Sequence, residues 1–196
     1  MDTLAIAASD PAQARARLVE ELRDHALVIG SVTLTSGAHA EYYVDAKRAI
    51  LRPTGFAALG VLLAEQISAW NGTAVGGMTM GADPVACAAL AGGAHAKAFF
   101  VRKESKAHGL QRRIEGPLLD PADRCVVVED VVTTGSSTLA AIDALLDAGQ
   151  QICGVISVLD RLAGGGAAIE RAADAPYVPL TTIDDIYPDR PEGRAG

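Results

Sequence analysis

The chain has 196 residues, long enough for one domain that buries roughly 70% of its unfolded surface. Its net charge of −7 and pI near 5.0 argue against nucleic acid as a partner. No apolar stretch is long enough for a membrane span, and the start lacks the basic and apolar regions of a leader, so a soluble, cytoplasmic protein is expected. Asp10 followed by Pro11 opens a helix to Leu27, with Leu18, Leu22 and Ala26 on one face. Val28 to Val32 and Glu41 to Asp45 read as strands. Pro53 and Asn71-Gly72 bracket a helix over Thr54 to Trp70. Then come strand 73–77, helix 84–92, strand 96–102, strand 124–129, helix 136–148, strand 152–159, helix 166–174 and strand 177–182. This alternation predicts a single α/β domain over residues 1–196, with a doubly wound, mainly parallel sheet flanked by helices. About residues 1–50 are expected to form an amino-terminal helix and a small hood, and 188–196 read as a frayed tail. The Gly164-Gly165-Gly166 run reads as a helix-entry turn.

Chemistry concentrates in Val126 to Thr138, VVVEDVVTTGSST. Cys125 to Val128 make a buried parallel strand, whose carboxyl end carries Glu129 and Asp130 toward the crevice where such sheets bind ligands. After Val131 and Val132, the turn Thr133-Thr134-Gly135-Ser136-Ser137 offers hydroxyl donors and the free N–H groups of a helix start, which suit a phosphate. The carboxylates suit ribose hydroxyls or a hydrated Mg²⁺. Neither the lysine of a Walker loop nor a dinucleotide G-x-G-x-x-G is present.

The string resembles the phosphoribosyl-diphosphate (PRPP) signature of the type I phosphoribosyltransferases. That resemblance implies transfer of ribose 5-phosphate from PRPP with loss of pyrophosphate, assisted by Mg²⁺ carried by PRPP rather than by assigned protein ligands. The segment Val101 to Gly116 crowds Arg102, Lys103, Lys106, His108, Arg112 and Arg113 after an apolar run and reads as a mobile basic loop at a strand end. Cations there would stabilise a departing diphosphate; a solvated surface loop is the plain alternative. Its arrangement R-K-x-x-K-x-H-G is similar to the catalytic loop of orotate phosphoribosyltransferases.

Thr35 to Arg48 resembles the part of those enzymes that covers the base. Its Tyr42 and Tyr43 belong to a chain with one Trp, four Tyr and three Phe, and on a strand they face opposite sides, so at most one stacks on the base. Arg161 follows the apolar run ending at Asp160. It suits a bidentate pair with the carboxylate of orotate, or a local ion pair with Asp160 or Glu170. Thr133 joins these as an orotate contact.

The family resemblance, over about residues 15 to 187, implies an enzyme that makes orotidine 5′-monophosphate from orotate and PRPP. Asp130, Lys106 and His108 are the catalytic candidates, in a homodimer whose basic loop reaches the neighbouring subunit's site. Two rivals are a phosphoribosyltransferase for another base and a PRPP-binding regulator without catalysis. The chain departs from the pattern at Thr35, Ala38 and Met80, where relatives carry basic residues. Met80 falls in Gly76 to Pro84, a Gly-rich segment that matches the loop near pyrophosphate; its backbone N–H groups remain available to an anion. Cys87, Cys125 and Cys153 read as small buried residues in a reducing compartment, His25 and His95 as solvent or interface residues, and His39 as a hood residue. No His/Cys pair has zinc spacing.

Overall fold

The computed structural model describes residues 10–33, 39–104 and 113–190. Asp10 caps α1 (Pro11–Glu21) by accepting the Ala12 N–H at 3.2 Å. A π-turn over Leu22–Ala26 ends that helix, one residue short of the expected Leu27. The hood follows as an antiparallel pair, β1 (Leu27–Thr33) and β2 (His39–Val44), separate from the main sheet. A four-residue helix, α2 (Lys47–Ile50), connects it to α3 (Pro53–Ala69).

The main sheet begins with β3 (Ala74–Met78), and α4 (Ala82–Ala91) leads to β4 (Lys97–Val101). The short β5 (Ile114–Glu115) pairs antiparallel with β4 at the edge. Then β6 (Arg124–Val132), α5 (Ser136–Asp147), β7 (Gln151–Asp160), α6 (Gly165–Ala173), β8 (Tyr177–Thr182) and α7 (Ile183–Ile186) complete the fold. The strand order is β5-β4-β3-β6-β7-β8, with every pair parallel except β4 and β5. Connections step outward from β3 in one direction and then from β6 in the other, so the topological switch point lies between those strands.

Pleating divides the core in two. Val126 and Val128 face a cluster with α1, α3 and α4, whereas Cys125 and Val127 face one with α5 and α6. Helices on both faces bear out the doubly wound architecture. Tyr42 and Val44 of the hood join the first cluster, so the hood packs into the same apolar interior as α1 and α3.

Three expectations need correcting. β6 runs three residues past the expected end at 129, because Val131 and Val132 continue the ladder opposite Leu159 and Asp160 of β7. Cys87 is exposed on α4 rather than buried, while Cys125 is buried and Cys153 half-buried. Of the expected frayed tail, residues 188–190 are described: the Arg190 guanidinium pairs with Asp184 and donates to the Tyr187 carbonyl, which ties the chain to α7. The rest lies outside the described residues. The Gly164 turn does open a helix, as expected, from a left-handed cap with φ 89°.

At the opposite end of the strands, Asp123 is buried but fully engaged. It accepts from Lys97 Nζ at 2.7 Å, Thr73 Oγ1 at 2.8 Å and the Asp120 N–H at 2.7 Å. Apolar packing carries most of the stability. Leu63→Ala, in the fully buried face of α3, should lower unfolding free energy by about 2–5 kcal/mol in urea titrations, the range for a large-to-small change in a close-packed core.

Candidate active site

The cleft lies outside the carboxyl ends of β3 and β6, at the switch point. Because β6 continues through the acidic pair, adjacent side chains leave the strand on opposite faces. Glu129 points toward α5, where its Oε2 accepts from Thr138 Oγ1 at 3.2 Å. Asp130 points toward α2, where its Oδ2 accepts from Lys47 Nζ at 2.8 Å. The other oxygens turn back to a common place. Glu129 Oε1 accepts the Asp130 N–H and Asp130 Oδ1 accepts the Val131 N–H. Both lie against Gly81, where an added Cβ would stand 2.5 Å from Asp130 Oδ1 and 3.0 Å from Glu129 Oε1. Only a residue without a side chain lets the turn after β3 approach the pair so closely.

Burial, then the neighbouring charge of Asp130, pushes the Glu129 carboxyl up to about 8. Lys47 is shared between Asp130 and Asp45, at 2.8 and 3.0 Å. Burial opposes its charge, but the bonds and charges of the two aspartates outweigh that and hold the ammonium well above its ordinary value. Motif reading missed Lys47. It lies 83 residues from its partner, and only its place after the hood's Tyr-Tyr strand marked it.

Beyond β6 the chain turns through Thr133 and Thr134 into α5, with Gly135 at φ 80° as a left-handed cap. An open pocket is lined by Glu129, Val131 and residues 133–138. The first N–H groups of α5 have no carbonyl one turn earlier to bond, so they are available to an anion, as are the exposed hydroxyls of Thr134, Ser136 and Ser137. Val132 contributes differently from its neighbours. Its side chain is buried in the core, and its carbonyl accepts the Arg161 N–H at 2.9 Å, which joins the 133–137 turn to the arginine. The Thr133 carbonyl accepts the Gly165 N–H at 3.2 Å and strengthens that junction.

Arg161 is 8% exposed, and its Nε has no hydrogen-bond partner. Neither Asp160 nor Glu170 pairs with it among the described residues, which removes the local ion pair as its role. Its guanidinium carbon stands 4.9 Å from the centroid of the Tyr42 ring, a cation–π contact. Tyr42 in turn meets the Tyr187 ring edge-on at 5.6 Å. The two hood tyrosines thus divide as expected of strand neighbours: Tyr42 is buried against Arg161, and Tyr43 is 39% exposed.

Arg102 and Lys103 are exposed just after β4. The Arg102 N–H donates to the Arg113 carbonyl at 2.8 Å and Arg113 Nε donates to the Arg102 carbonyl at 3.2 Å, which closes the stem of the basic segment. Lys106, His108 and Arg112 lie outside the described residues, as do Thr35, Ala38 and the side chain of His39. In the turn after β3, Thr79 Oγ1 donates to Asp83 Oδ1 at 3.2 Å, and Met80 is exposed. His95 is exposed, and His25 stands 3.7 Å from Glu21.

A doubly wound sheet with an acidic pair at the switch point and a hydroxyl-rich turn opening the next helix is the arrangement that the resemblance to type I phosphoribosyltransferases implies. Similarity to known proteins narrows this class. No family model matches the chain. The orotate phosphoribosyltransferase of Corynebacterium glutamicum is 47% identical over 176 residues, which cover 89% of this chain and 95% of that one. The crystal structure of Mycobacterium tuberculosis orotate phosphoribosyltransferase in complex with Fe(III) dicitrate aligns with a TM-score of 0.76 at 44% identity, covering 88% and 98% of the two chains. The crystal structure of that enzyme in complex with PRPP aligns with a TM-score of 0.73 at 39% identity, with the same coverage. The chain belongs to the orotate phosphoribosyltransferase family.

The raised Glu129 carboxyl has a thermodynamic consequence. The folded protein keeps this proton at pH values where the unfolded chain has lost it, so the stabilisation is complete below the ordinary glutamate range and is lost as pH rises toward about 8. Melting temperature of the ligand-free protein should therefore fall between about pH 5 and pH 8, and Glu129→Gln should flatten that slope. Equal slopes for the two proteins would show that Glu129 ionises normally.

Proposed function

We propose that this chain transfers the 5-phosphoribosyl group of PRPP to orotate, giving orotidine 5′-monophosphate and pyrophosphate in pyrimidine synthesis. The observation that carries the reading is the junction at Val132 and Arg161. One backbone hydrogen bond ties the phosphate turn to a buried arginine that has no carboxylate partner among the described residues. A ligand bearing a phosphate at one end and a carboxylate at the other would satisfy both.

In this mechanism the 133–137 turn holds the 5-phosphate through helix-start N–H groups and hydroxyls. Glu129 and Asp130 accept hydrogen bonds from the ribose hydroxyls, with Lys47 holding Asp130 from behind. Arg161 takes the orotate carboxylate, flanked by Tyr42 and Thr133. Tyr43, being exposed on the other face of its strand, keeps only an outer role in covering the base. Arg102, Lys103, Lys106 and His108 receive the diphosphate, and Lys106 is the main stabiliser of charge on the leaving group. Orotate loses its N1 proton readily, so no strong general base is required. The oxygens at the cleft are hard donors of the kind that suit Mg²⁺ beside PRPP, and Asp130 and Glu129 would be the residues to help hold it. When bound, Mg²⁺ neutralises diphosphate charge.

Free thiols at Cys87, Cys125 and Cys153 support a cytoplasmic setting. Among the described residues no helix is long and apolar enough to cross a membrane.

Purified protein should consume orotate, followed by absorbance, only with both PRPP and a divalent metal, and uracil should be a poor acceptor because it lacks the carboxylate for Arg161. Equal turnover of uracil would overturn the assignment of the base. The homodimer with shared sites has its own test. Lys106→Ala and Asp130→Asn should each be nearly inactive, and mixing them with subunit exchange should restore activity approaching half that of a wild-type dimer per heterodimer. In the heterodimer one site receives both intact residues, whereas the other carries both lesions. No recovery after proven exchange would mean that Lys106 acts within its own chain.

A further inference from the structure

The turn between β7 and α6 lies against the 133–137 turn, in a conformation that its own residues do not favour. Leu162 has φ 58°, the left-handed region that a leucine occupies only when its surroundings hold it there. Its side chain is 51% exposed, so core packing does not hold it. A hydrogen bond does: the Leu162 N–H donates to Asp160 Oδ1 at 2.7 Å. Asp160 is itself buried and anchored, its Oδ2 accepting the Tyr177 hydroxyl at 2.9 Å. The Tyr177 oxygen is also 2.6 Å from Ser157 Oγ. A phenol has one proton to give, so with that proton on Asp160 it is Ser157 that donates to Tyr177. Burial pushes the phenol well above its ordinary range, which keeps the proton in place.

On either side of Leu162 this turn grips its neighbour through the backbone. The Arg161 N–H donates to the Val132 carbonyl at 2.9 Å, and the Gly165 N–H to the Thr133 carbonyl at 3.2 Å. The two turns approach too closely for a side chain between them. A Cβ on Gly165 would stand 2.6 Å from the Thr133 oxygen and 2.9 Å from the Gly135 nitrogen. A shift of the 161–165 turn is therefore passed directly to residues 132–135. We propose that Asp160, anchored by Tyr177, is a positioning residue for the sugar-phosphate end of PRPP: by clamping the left-handed turn at Leu162 it holds the 133–137 turn in the shape that receives the 5-phosphate. The inference rests on reading that turn as the seat of the 5-phosphate. Asp160 acts through the Leu162 backbone and needs no contact with the ligand.

Calorimetric binding of ribose 5-phosphate, together with the KM values for PRPP and orotate, tests this. Asp160→Ala removes the clamp and should weaken ribose 5-phosphate binding and raise the KM for PRPP about tenfold, with the KM for orotate within about twofold of wild type. Asp160→Asn still accepts the Leu162 N–H and should bind ribose 5-phosphate within about threefold of wild type. The decisive variant is Leu162→Gly, because glycine takes the left-handed conformation without a clamp. Alone it should bind as wild type does, and in Asp160→Ala/Leu162→Gly it should recover most of the lost affinity. A defect that persists in the double variant would overturn the proposal. So would an Asp160→Asn variant as weak as Asp160→Ala, since charge and not the clamp would then matter. A merely structural role would lower the melting temperature and leave ribose 5-phosphate affinity of the folded protein unchanged, which also overturns it. If Asp160→Ala does not fold, Tyr177→Phe decides. It leaves Asp160 Oδ2 a buried acceptor without a donor, so affinity should fall about threefold and return with Leu162→Gly, and unchanged affinity would overturn the proposal. Wild-type protein that binds no ribose 5-phosphate would overturn the inference together with the reading of the turn. Protein that binds it with this pattern but consumes no orotate would overturn only the choice of acceptor.

Discussion

Two carboxyl groups on consecutive residues at the buried end of a central strand are expensive to keep there, and much of the surrounding structure answers that cost. The pleat sends them to opposite faces, so each is satisfied by a different layer. Thr138 from the first turn of α5 serves Glu129, and Lys47 from α2 serves Asp130. The turn after β3 closes over both through Gly81. Helix α5 is thus fixed relative to β6 by a residue that also lines the pocket formed with the 133–137 turn. The hood is fixed relative to the sheet through Lys47, since α2 directly follows β2.

A second theme is that two cations beside the cleft are held in different ways. Lys47 is held between two aspartates, whereas Arg161 rests on an aromatic face that attracts it without satisfying its hydrogen-bond donors. The difference suits different tasks. A lysine with two fixed partners is a structural tie, and a guanidinium with unused donors is ready for a planar carboxylate.

Much of this was legible in the sequence because local signals agreed with global ones. Pro11 after Asp10, Pro53, the Asn71-Gly72 stop and the apolar runs each mark element ends by backbone chemistry that operates within a few residues. The acidic pair and Thr/Gly/Ser turn are contiguous, so their joint placement at a strand end required no knowledge of tertiary contacts. The less legible features depend on distance or brevity. Helix α2 spans four residues, too few for a periodic pattern, and it carries the Lys47 that meets Asp130. In the sequence the apolar run of β6 stops at the acidic pair, yet Lys47 and Thr138 compensate burial and the ladder continues to Val132. Tyr177 belongs to no motif. Its partners lie 17 and 20 residues away on a neighbouring strand. Cys87 was read as buried from residue type alone, and only the rotation of α4 decides which of its faces meets solvent.

The chain's beginning and end meet behind the arginine. Arg15 of α1 bonds Asp185 at 2.9 Å and the Leu180 carbonyl at 3.1 Å, and Arg23 reaches the Asp185 carbonyl at 2.8 Å. Just beyond, Tyr187 backs the ring of Tyr42. During synthesis, when amino-terminal segments emerge first, the hydroxyl-rich turn is complete once Thr138 has been added, but the aromatic wall behind Arg161 awaits Tyr187. The wall behind Arg161 is therefore completed later than the 133–138 turn, and a nascent chain stopped after α6 carries that turn while the Tyr42 ring still lacks Tyr187 behind it.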